Sequence, residues 1–198
     1  MPGKKKYTVP IMLVIITLLT FLIVVLFSRV LLDGQSLKTE RGERLAASYN
    51  YCLLYANALK ETADGLLEAG DDASRMQAAR AQGKLELAGG ECAAGVLVQA
   101  GTRSGLSEEA ATSAASAPLR KIEGALQRFG TRIGALTDEE RTSLTAAAAA
   151  ADKLAAELRA YTPPTGADRF RQMQAGVDWV PVVQRFIKEL NGAAAAIG

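Results

Sequence analysis

The longest hydrophobic run of the chain lies near its start, from Val9 to Phe27, and continues from Val30 to Leu32. Only Pro10 and two threonines interrupt the first part of this run. A helix of about 20 mostly apolar residues crosses about 30 Å of hydrocarbon. The pattern therefore predicts a transmembrane helix over residues 9–32.

A cleavable signal peptide is the alternative interpretation of this run. The apolar stretch is longer than the usual core of about 7–15 residues in a signal peptide. The residues from Phe27 to Asp33 are mostly bulky, whereas cleavage requires small side chains. We therefore expect an uncleaved signal-anchor helix.

Beyond residue 32, apolar residues repeat in steps of three and four, and no segment predicts a strand. Such steps place the side chains on one face of each helix, as in helices that pack lengthwise. The sequence predicts an all-α fold in which residues 33–192 form an antiparallel bundle of four to five helices. Three stripes carry this prediction: Leu45, Tyr49, Cys52, Ala56, Leu59, Ala63 and Leu66; Leu119, Ile122, Leu126, Phe129, Ile133 and Leu136; and Leu144, Ala147, Ala151, Leu154, Leu158 and Tyr161.

The last two stripes supply the side chains expected to make contacts between helices. Leu126, Phe129 and Ile133 share one helix face, and Leu154 and Leu158 share the face expected to oppose it. These five residues form the core of the domain or, if exposed, a docking surface for a partner helix.

Glycines, caps and prolines predict where the helices begin and end. Residues 69–74 contain a helix stop followed by a new start, and Thr137 forms a capping box with Glu140. Pro118 predicts a first helical turn, and the prolines at 163 and 164 predict a helix end.

The final helix is expected to begin near Asp178 and Pro181. Asn191 and Gly192 predict its end, because glycine commonly follows the last helical residue. Residues 193–198 are then expected to form a flexible, alanine-rich tail.

The two cysteines, Cys52 and Cys92, lie symmetrically about residue 72, where the chain is expected to turn. In an antiparallel hairpin they would lie level with each other, so a disulfide could form. Such a bond would stabilise the fold by about 3–4 kcal/mol and would persist in an oxidising compartment. Two free, buried thiols are the alternative.

The basic residues next to the span bear on its orientation. Lys4, Lys5 and Lys6 form a contiguous cluster in the short tail of residues 1–8, and basic residues favour the cytoplasmic side. Arg29, near the other end of the span, and three further cations beyond it oppose this cluster, so a raw count does not decide. The contiguous lysines and the cysteine pair together predict a single-pass protein of the cell membrane, with a cytoplasmic tail and an extracytoplasmic bundle on the periplasmic or cell-surface side.

The sequence contains no pattern typical of a catalytic or cofactor site. It has no histidine, which removes the commonest general base and metal ligand. Pairs of acidic residues occur at predicted helix starts, where carboxylates complement the helix dipole. The net charge of +2, with no basic stripe, does not indicate nucleic-acid binding. We therefore expect neither an enzyme nor a cofactor, a metal site or a nucleic-acid partner.

One span followed by an antiparallel helical domain resembles the sensory half of bacterial chemoreceptors. The layout also resembles the helical region that follows the anchor in sporulation and germination membrane proteins. These resemblances imply a ligand-sensing module that signals through a membrane partner, with a polar pocket near Tyr49, Tyr51 and Tyr55. The absence of catalytic motifs favours instead a non-enzymatic interaction or accessory subunit of a membrane complex. Its partners would be the lipid bilayer and another protein or a second copy of the chain.

Overall fold

The computed structural model describes residues 8–197, which form helices with no strand among them. The predicted all-α fold is thereby confirmed, with one long apolar helix followed by shorter helices. The lysines at 4–6 lie outside the described residues. The helices are α1 (Thr8–Glu68), α2 (Asp72–Arg80), α3 (Gln82–Cys92), a π-helical turn (Ala93–Leu97), α4 (Val98–Arg103), α5 (Glu108–Thr131), α6 (Asp138–Leu158), α7 (Ala167–Ala175) and α8 (Trp179–Ile197).

The first helix continues from the apolar run into the bundle without a break. It contains 61 residues, which corresponds to about 90 Å at 1.5 Å per residue. The predicted domain boundary at residue 33 thus falls inside a helix, which continues through Gly34 without a break. We call residues 10–32 the apolar half of α1 and residues 45–66 its bundled half.

The apolar half packs against no other helix in the described part of the chain. The large apolar side chains from Ile11 to Leu32 are between 39% and 68% exposed. Thr17 and Thr20 donate hydrogen bonds to carbonyls one turn earlier, at 2.9 and 2.8 Å, so their hydroxyls are satisfied within the helix. With a mean hydropathy of 3.0 in its most apolar window, α1 is the one described helix long and apolar enough to cross a membrane.

The helices of the bundle run alternately away from the apolar half and toward it. The bundled half of α1 runs away from it, as do α5 and α8, whereas α2–α4 and α6 run toward it. We call the end of the bundle next to the apolar half the proximal end and the opposite end the distal end. Neighbouring helices are linked by Lys60 Nζ to Asp152 Oδ1 (2.7 Å), by Gln82 Nε2 to the carbonyl of Glu123 (3.2 Å) and by Arg185 Nε to Glu157 Oε2 (2.7 Å).

The core follows the predicted stripes closely. All seven residues of the first stripe, from Leu45 to Leu66, are buried. The helices of the other two stripes, however, do not oppose each other as expected. α5 packs mainly on α2–α4 and α8, and α6 packs mainly on α1 and α8. α1 and α8 lie between α5 and α6, because each has a wide apolar face that can contact helices on more than one side.

A π-helical turn replaces regular α-helix where α3 meets α4. The Ser48 hydroxyl donates to the carbonyl of Glu91 (2.8 Å) and accepts from the amide of Val96 (2.9 Å). Gly95 makes this approach possible, since a Cβ there would collide with the Ser48 side chain. A side chain inserted into the hydrogen-bond ladder is a known cause of such irregular turns.

Two predicted helix boundaries are wrong. α5 begins at Glu108, with Ser107 as its cap, so Pro118 lies inside the helix rather than in its first turn. An interior proline costs about 3 kcal/mol, and the helix persists because an apolar face, including Ala111, Ala115 and Leu119, is buried on both sides of the proline.

The predicted flexible tail is the second correction. α8 continues past Asn191 and Gly192 to Ile197. Ala193, Ala194 and Ile197 are buried against the bundle. Their packing outweighs the low helix propensity of one glycine, which is about 1 kcal/mol.

The short helix α7 has no counterpart among the predicted elements. It packs along α1 at the proximal end. The backbone approach is close at Gly42, where a Cβ would collide with the carbonyl of Phe170. The absence of a side chain at Gly42 thus allows α7 to pack directly against α1, just before its bundled half.

Candidate functional site

The cysteine prediction is confirmed in the structure. Cys52 of α1 and Cys92 of α3 form a disulfide, with their Cα atoms 4.8 Å apart. Both side chains are buried. The bond fastens the α2–α4 side of the bundle to the middle of the bundled half, directly beside the π-helical turn.

Four of the five predicted packing residues lie in the core, and one does not. Leu126, Phe129, Leu154 and Leu158 are buried, whereas Ile133 is 88% exposed. Ile133 is therefore not a core residue, because α5 ends two residues earlier and the heptad spacing no longer sets its direction. Its role as part of a docking surface stays a prediction.

The distal loop that carries Ile133 is held by a buried cation. Arg75 is 4% exposed and donates to the carbonyls of Arg132 (3.1 Å) and Gly134. Asp72 lies 3.4 Å from the same guanidinium nitrogen. Gly134 has a φ of +96°, which favours glycine. The chain is therefore fixed on both sides of an exposed isoleucine.

A second arginine organises the proximal end. Arg103, at the end of α4, donates to the carbonyls of Gln174 (2.5 Å) and Ala175 (2.8 Å). Its guanidinium carbon lies 5.6 Å from the centre of the Trp179 ring. Gly176, with a φ of +80°, ends α7 next to this arginine. These contacts join the last turn of α4 to the connection between α7 and α8.

The tyrosines expected to line a pocket are mostly core residues. The Tyr49 hydroxyl donates to the carbonyl of Leu158 (2.6 Å), and its ring meets Tyr161 edge-on at 5.3 Å. Burial raises the pKa of Tyr49. Tyr55 is also fully buried, and Tyr51 is half-buried. Tyr49 therefore links α1 to the end of α6.

An open groove instead lies between the α3–α4 side and α5. Its volume is about 340 Å³. Small residues at its floor leave the space open, and polar side chains surround it. We call it the α3–α5 groove; its lining residues are Glu86, Gly89, Gly90, Ala93, Ala94, Val98, Thr112, Ser116, Leu119, Arg120 and Glu123.

Two carboxylates from different helices line this groove. Burial, followed by the nearby charge of Glu86, raises the pKa of Glu123 from 4.5 to about 7, and the charge of Arg120 opposes this shift. The Gln82 amide links the two helices here, since it donates to Glu86 Oε1 (3.0 Å) and to the backbone carbonyl of Glu123. Arg120 donates to Ser116 (3.1 Å).

Tyr55, whose ring edge lies beside Gly89, has a buried hydroxyl without a hydrogen-bond partner. Tyr55 Oη is inaccessible to solvent and unpaired within the described part of the chain. The ring edge at Tyr55 Cε2 and Glu123 Oε1 lie 3.2 and 2.6 Å from the point where a Cβ of Gly89 would stand. Burial, then the charge of Glu123, raises the pKa of Tyr55. The edge of the Tyr55 ring and the Glu123 carboxylate therefore both lie beside Gly89.

Sequence reasoning missed Glu123, Ser48, Arg75 and Arg103. Glu123 follows the buried Ile122 in a predicted helix, where an acid is ordinarily solvated. The usable signal was the group of glycines at 89, 90 and 95, which indicated close approach of a neighbour but not which side chain would approach.

No group of three or more His, Cys, Asp or Glu residues in the described part of the chain could hold a metal ion. The side chains that line the groove offer acid–base and hydrogen-bonding chemistry from two carboxylates, one guanidinium and two hydroxyls. Comparison of the chain with protein families, with curated proteins and with solved structures finds no match in any of the three.

Proposed function

We propose that this protein is a single-pass, membrane-anchored accessory subunit whose extracytoplasmic bundle docks onto another component of a membrane complex. The observation that carries the proposal is the continuity of α1, which is both the apolar segment and the centre of the bundle. A shared helix fixes the height and direction of the bundle relative to the bilayer. Such a rigid mount suits a protein that presents a surface at a set distance from the membrane.

The bundle has a defined distal feature that such docking could use. Ile133 is exposed at the distal end, and Arg75 fixes the loop on both sides of it. An apolar side chain in a pre-ordered loop binds with a smaller entropic cost than one in a mobile loop. We propose Ile133 as the centre of the docking surface, contacting a membrane-anchored protein of the same complex.

The docking proposal is tested by purifying the tagged full chain from its native membranes in a mild detergent and measuring the mass of the complex. We expect a partner of fixed stoichiometry that the Ile133→Ser variant loses. Val177→Ser is the matched control, since Val177 is also exposed but lies at the proximal end. A monomer without a partner, or equal retention by both variants, would contradict the proposal.

The orientation is tested separately with protease added to intact cells. An extracytoplasmic bundle should be digested without lysis, and the cytoplasmic tail with its lysines should remain protected. Digestion of the bundle only after lysis would show the opposite orientation.

A second candidate function is a ligand-sensing module that signals through a membrane partner. The observation that favours it is the position of the α3–α5 groove next to the π-helical turn, which Ser48 bonds directly to α1. A ligand that shifted this turn would act on the helix that enters the membrane. Disulfide crosslinking between copies or partners within the apolar half, with and without ligand, would test such a shift.

A further inference from the structure

A pocket at the proximal end of the bundle is lined by cations and carboxamides. Its volume is about 330 Å³, and α1, the π-helical turn, α4 and α7 all contribute to it. We call it the proximal pocket; its charged and amide side chains are Arg41 and Arg44 of α1, Gln99 of α4 and Gln174 of α7. No carboxylate is among its lining residues in the described chain. The pocket therefore presents positive charge that no lining group neutralises.

Neither arginine is committed to a strong ion pair. Both are exposed, and Arg41 has no acidic oxygen of the described chain within 4.0 Å. Arg44 Nη2 lies 3.5 Å from Glu40 Oε2, and both side chains of this pair are largely exposed, so the pair contributes little. Like charges three residues apart share one helix face and repel each other. An anion between Arg41 and Arg44 would remove this repulsion.

The walls of the proximal pocket are held in place by contacts to the rest of the bundle. Arg103 donates to the backbone carbonyls of Gln174 and Ala175, which fixes the segment of α7 that carries the Gln174 side chain. On the other side, Ser48 accepts from the amide of Val96 (2.9 Å), beside the lining residue Gly95. A site whose walls are already ordered binds with a smaller entropic cost.

We propose that the proximal pocket binds a phosphate monoester. The planar guanidinium group of arginine presents N–H donors in a fork that matches two phosphate oxygens. A phosphate monoester carries a charge of about −1.5 to −2 at pH 7 and three acceptor oxygens. That charge matches two arginines, and Gln99 and Gln174 have amide donors for a further oxygen. The inference goes beyond the proposed docking function and does not depend on it.

The size and place of the pocket bear on the rest of the ligand. A volume of about 330 Å³ falls within the range of small-molecule sites, roughly 300–1,000 Å³, and leaves room for an organic group on the phosphate. Leu45 and Ala94 line that space with apolar surface. Because the pocket lies at the proximal end, a lipid with a terminal phosphate is one source of the monoester, and a small soluble ester is the other.

The soluble source is tested by calorimetric titration of the full chain, with its disulfide intact, in dodecyl maltoside micelles at pH 7 and constant ionic strength. The probe is glycerol 3-phosphate, and glycerol and sodium acetate are the controls without phosphate. We expect saturable binding of glycerol 3-phosphate, with Kd on the order of 1 mM or tighter, and none of glycerol. Acetate should bind at least about tenfold more weakly, because it offers fewer charge-assisted hydrogen bonds.

The lipid source is tested in the same micelles by native mass spectrometry with added phosphatidic acid, and with phosphatidylcholine for comparison. If the lipid is the source, the chain should retain one phosphatidic acid that excess glycerol 3-phosphate displaces. If the source is soluble, phosphatidic acid should be retained no better than phosphatidylcholine, while glycerol 3-phosphate still binds. Both results support a phosphate site and assign its source.

Matched variants locate the binding in the proximal pocket. Arg41→Gln and Arg44→Gln should each weaken binding of the phosphate probe by about tenfold or more, the loss expected for a charge-assisted hydrogen bond. Both side chains are exposed, so both variants should fold, which thermal unfolding checks. Lys38→Gln is the control, since it removes an exposed cation of the same helix that does not line the pocket, and it should bind as the unmodified protein does.

Three results would overturn the proposal. One is the absence of saturable binding of both glycerol 3-phosphate and phosphatidic acid by the unmodified chain. Another is binding of acetate as tight as that of glycerol 3-phosphate, which would remove the preference for phosphate. The last is a loss of binding in Lys38→Gln equal to that in Arg41→Gln and Arg44→Gln, or no loss in any of them, since either would place the binding outside the pocket.

Discussion

The two halves of α1 have the same backbone conformation and opposite environments. In the apolar half, large apolar side chains are exposed all round the helix, whereas in the bundled half a stripe from Leu45 to Leu66 is buried by other helices. A helix that is apolar all round requires an apolar surrounding on every side. The helical conformation alone therefore does not distinguish the two halves. The number of apolar faces does: it favours lipid around the apolar half and protein around the bundled half.

The largest contrast between the halves is expected from the same substitution made once in each. Leu59→Ala removes a fully buried side chain and should lower the free energy of unfolding by about 2–5 kcal/mol. Leu22→Ala, in the apolar half, removes a side chain without a bundle contact and should change it by less than about 0.5 kcal/mol. Thermal unfolding of the full chain in detergent, followed by circular dichroism, measures both. A similar loss in both variants would contradict the contrast.

The disulfide should affect only the bundled half. Replacing Cys52 and Cys92 by alanine should lower the free energy of unfolding by about 3–4 kcal/mol, because the bond closes a loop of about forty residues. Membrane association, measured by flotation with liposomes, should not change. Intact-mass measurement with and without alkylation checks the bond itself, and two freely alkylated thiols in the unreduced protein would contradict it.

A charge should affect only the apolar half. Val24→Arg places a cation at the middle of the apolar half, where insertion scales assign a cost of about 2.5–3.5 kcal/mol. We expect a lower inserted fraction in a membrane-insertion assay. Leu54→Arg, at an exposed position of the bundled half, is the control and should insert normally. Equal insertion of both variants would argue against a span at residues 10–32.

The smallest expected effect concerns the pH dependence of the bundle. Because the folded-state pKa of Glu123 is raised from 4.5 to about 7, the folded state holds the proton more tightly than the unfolded state. The stabilisation from this proton is complete below about pH 4.5 and is lost as the pH rises toward 7. Glu123→Gln should flatten this part of the melting-temperature profile relative to Glu91→Gln. Parallel profiles of the two variants would contradict the raised pKa.

The features predictable from sequence are those set by neighbours along the chain. The stripe from Leu45 to Leu66 and the capping box at Thr137 depend on spacing within one helix, and the structure confirms them. The pairing of Cys52 with Cys92 needed one further step, the position of the turn between two helices. That turn could be predicted because Asp71 is a typical helix cap, and in the structure its side chain accepts a hydrogen bond from the Ser74 amide at the start of α2.

The features that escaped prediction depend on contacts between distant segments. Ile133 follows the heptad spacing but lies beyond a helix end that Arg75 fixes from another helix. The extension of α8 to Ile197 depends on burial against other helices. The groove beside Glu123 exists because glycines of α3 leave space opposite α5. The spacing of residues along the chain does not predict which helices oppose each other.

The most direct test of the account is a scan of oxygen and nickel-chelate accessibility along α1 in nanodiscs. Single spin-labelled cysteines from residue 11 to residue 44 would be the reactive thiols, since both native cysteines are in the disulfide. We expect oxygen-rich, chelate-poor positions through residues 11–32 and an unbroken 3.6-residue periodicity from residue 33 to residue 44. Chelate access throughout residues 11–32, or loss of the periodicity after residue 32, would contradict a single helix that both crosses the bilayer and forms the centre of the bundle.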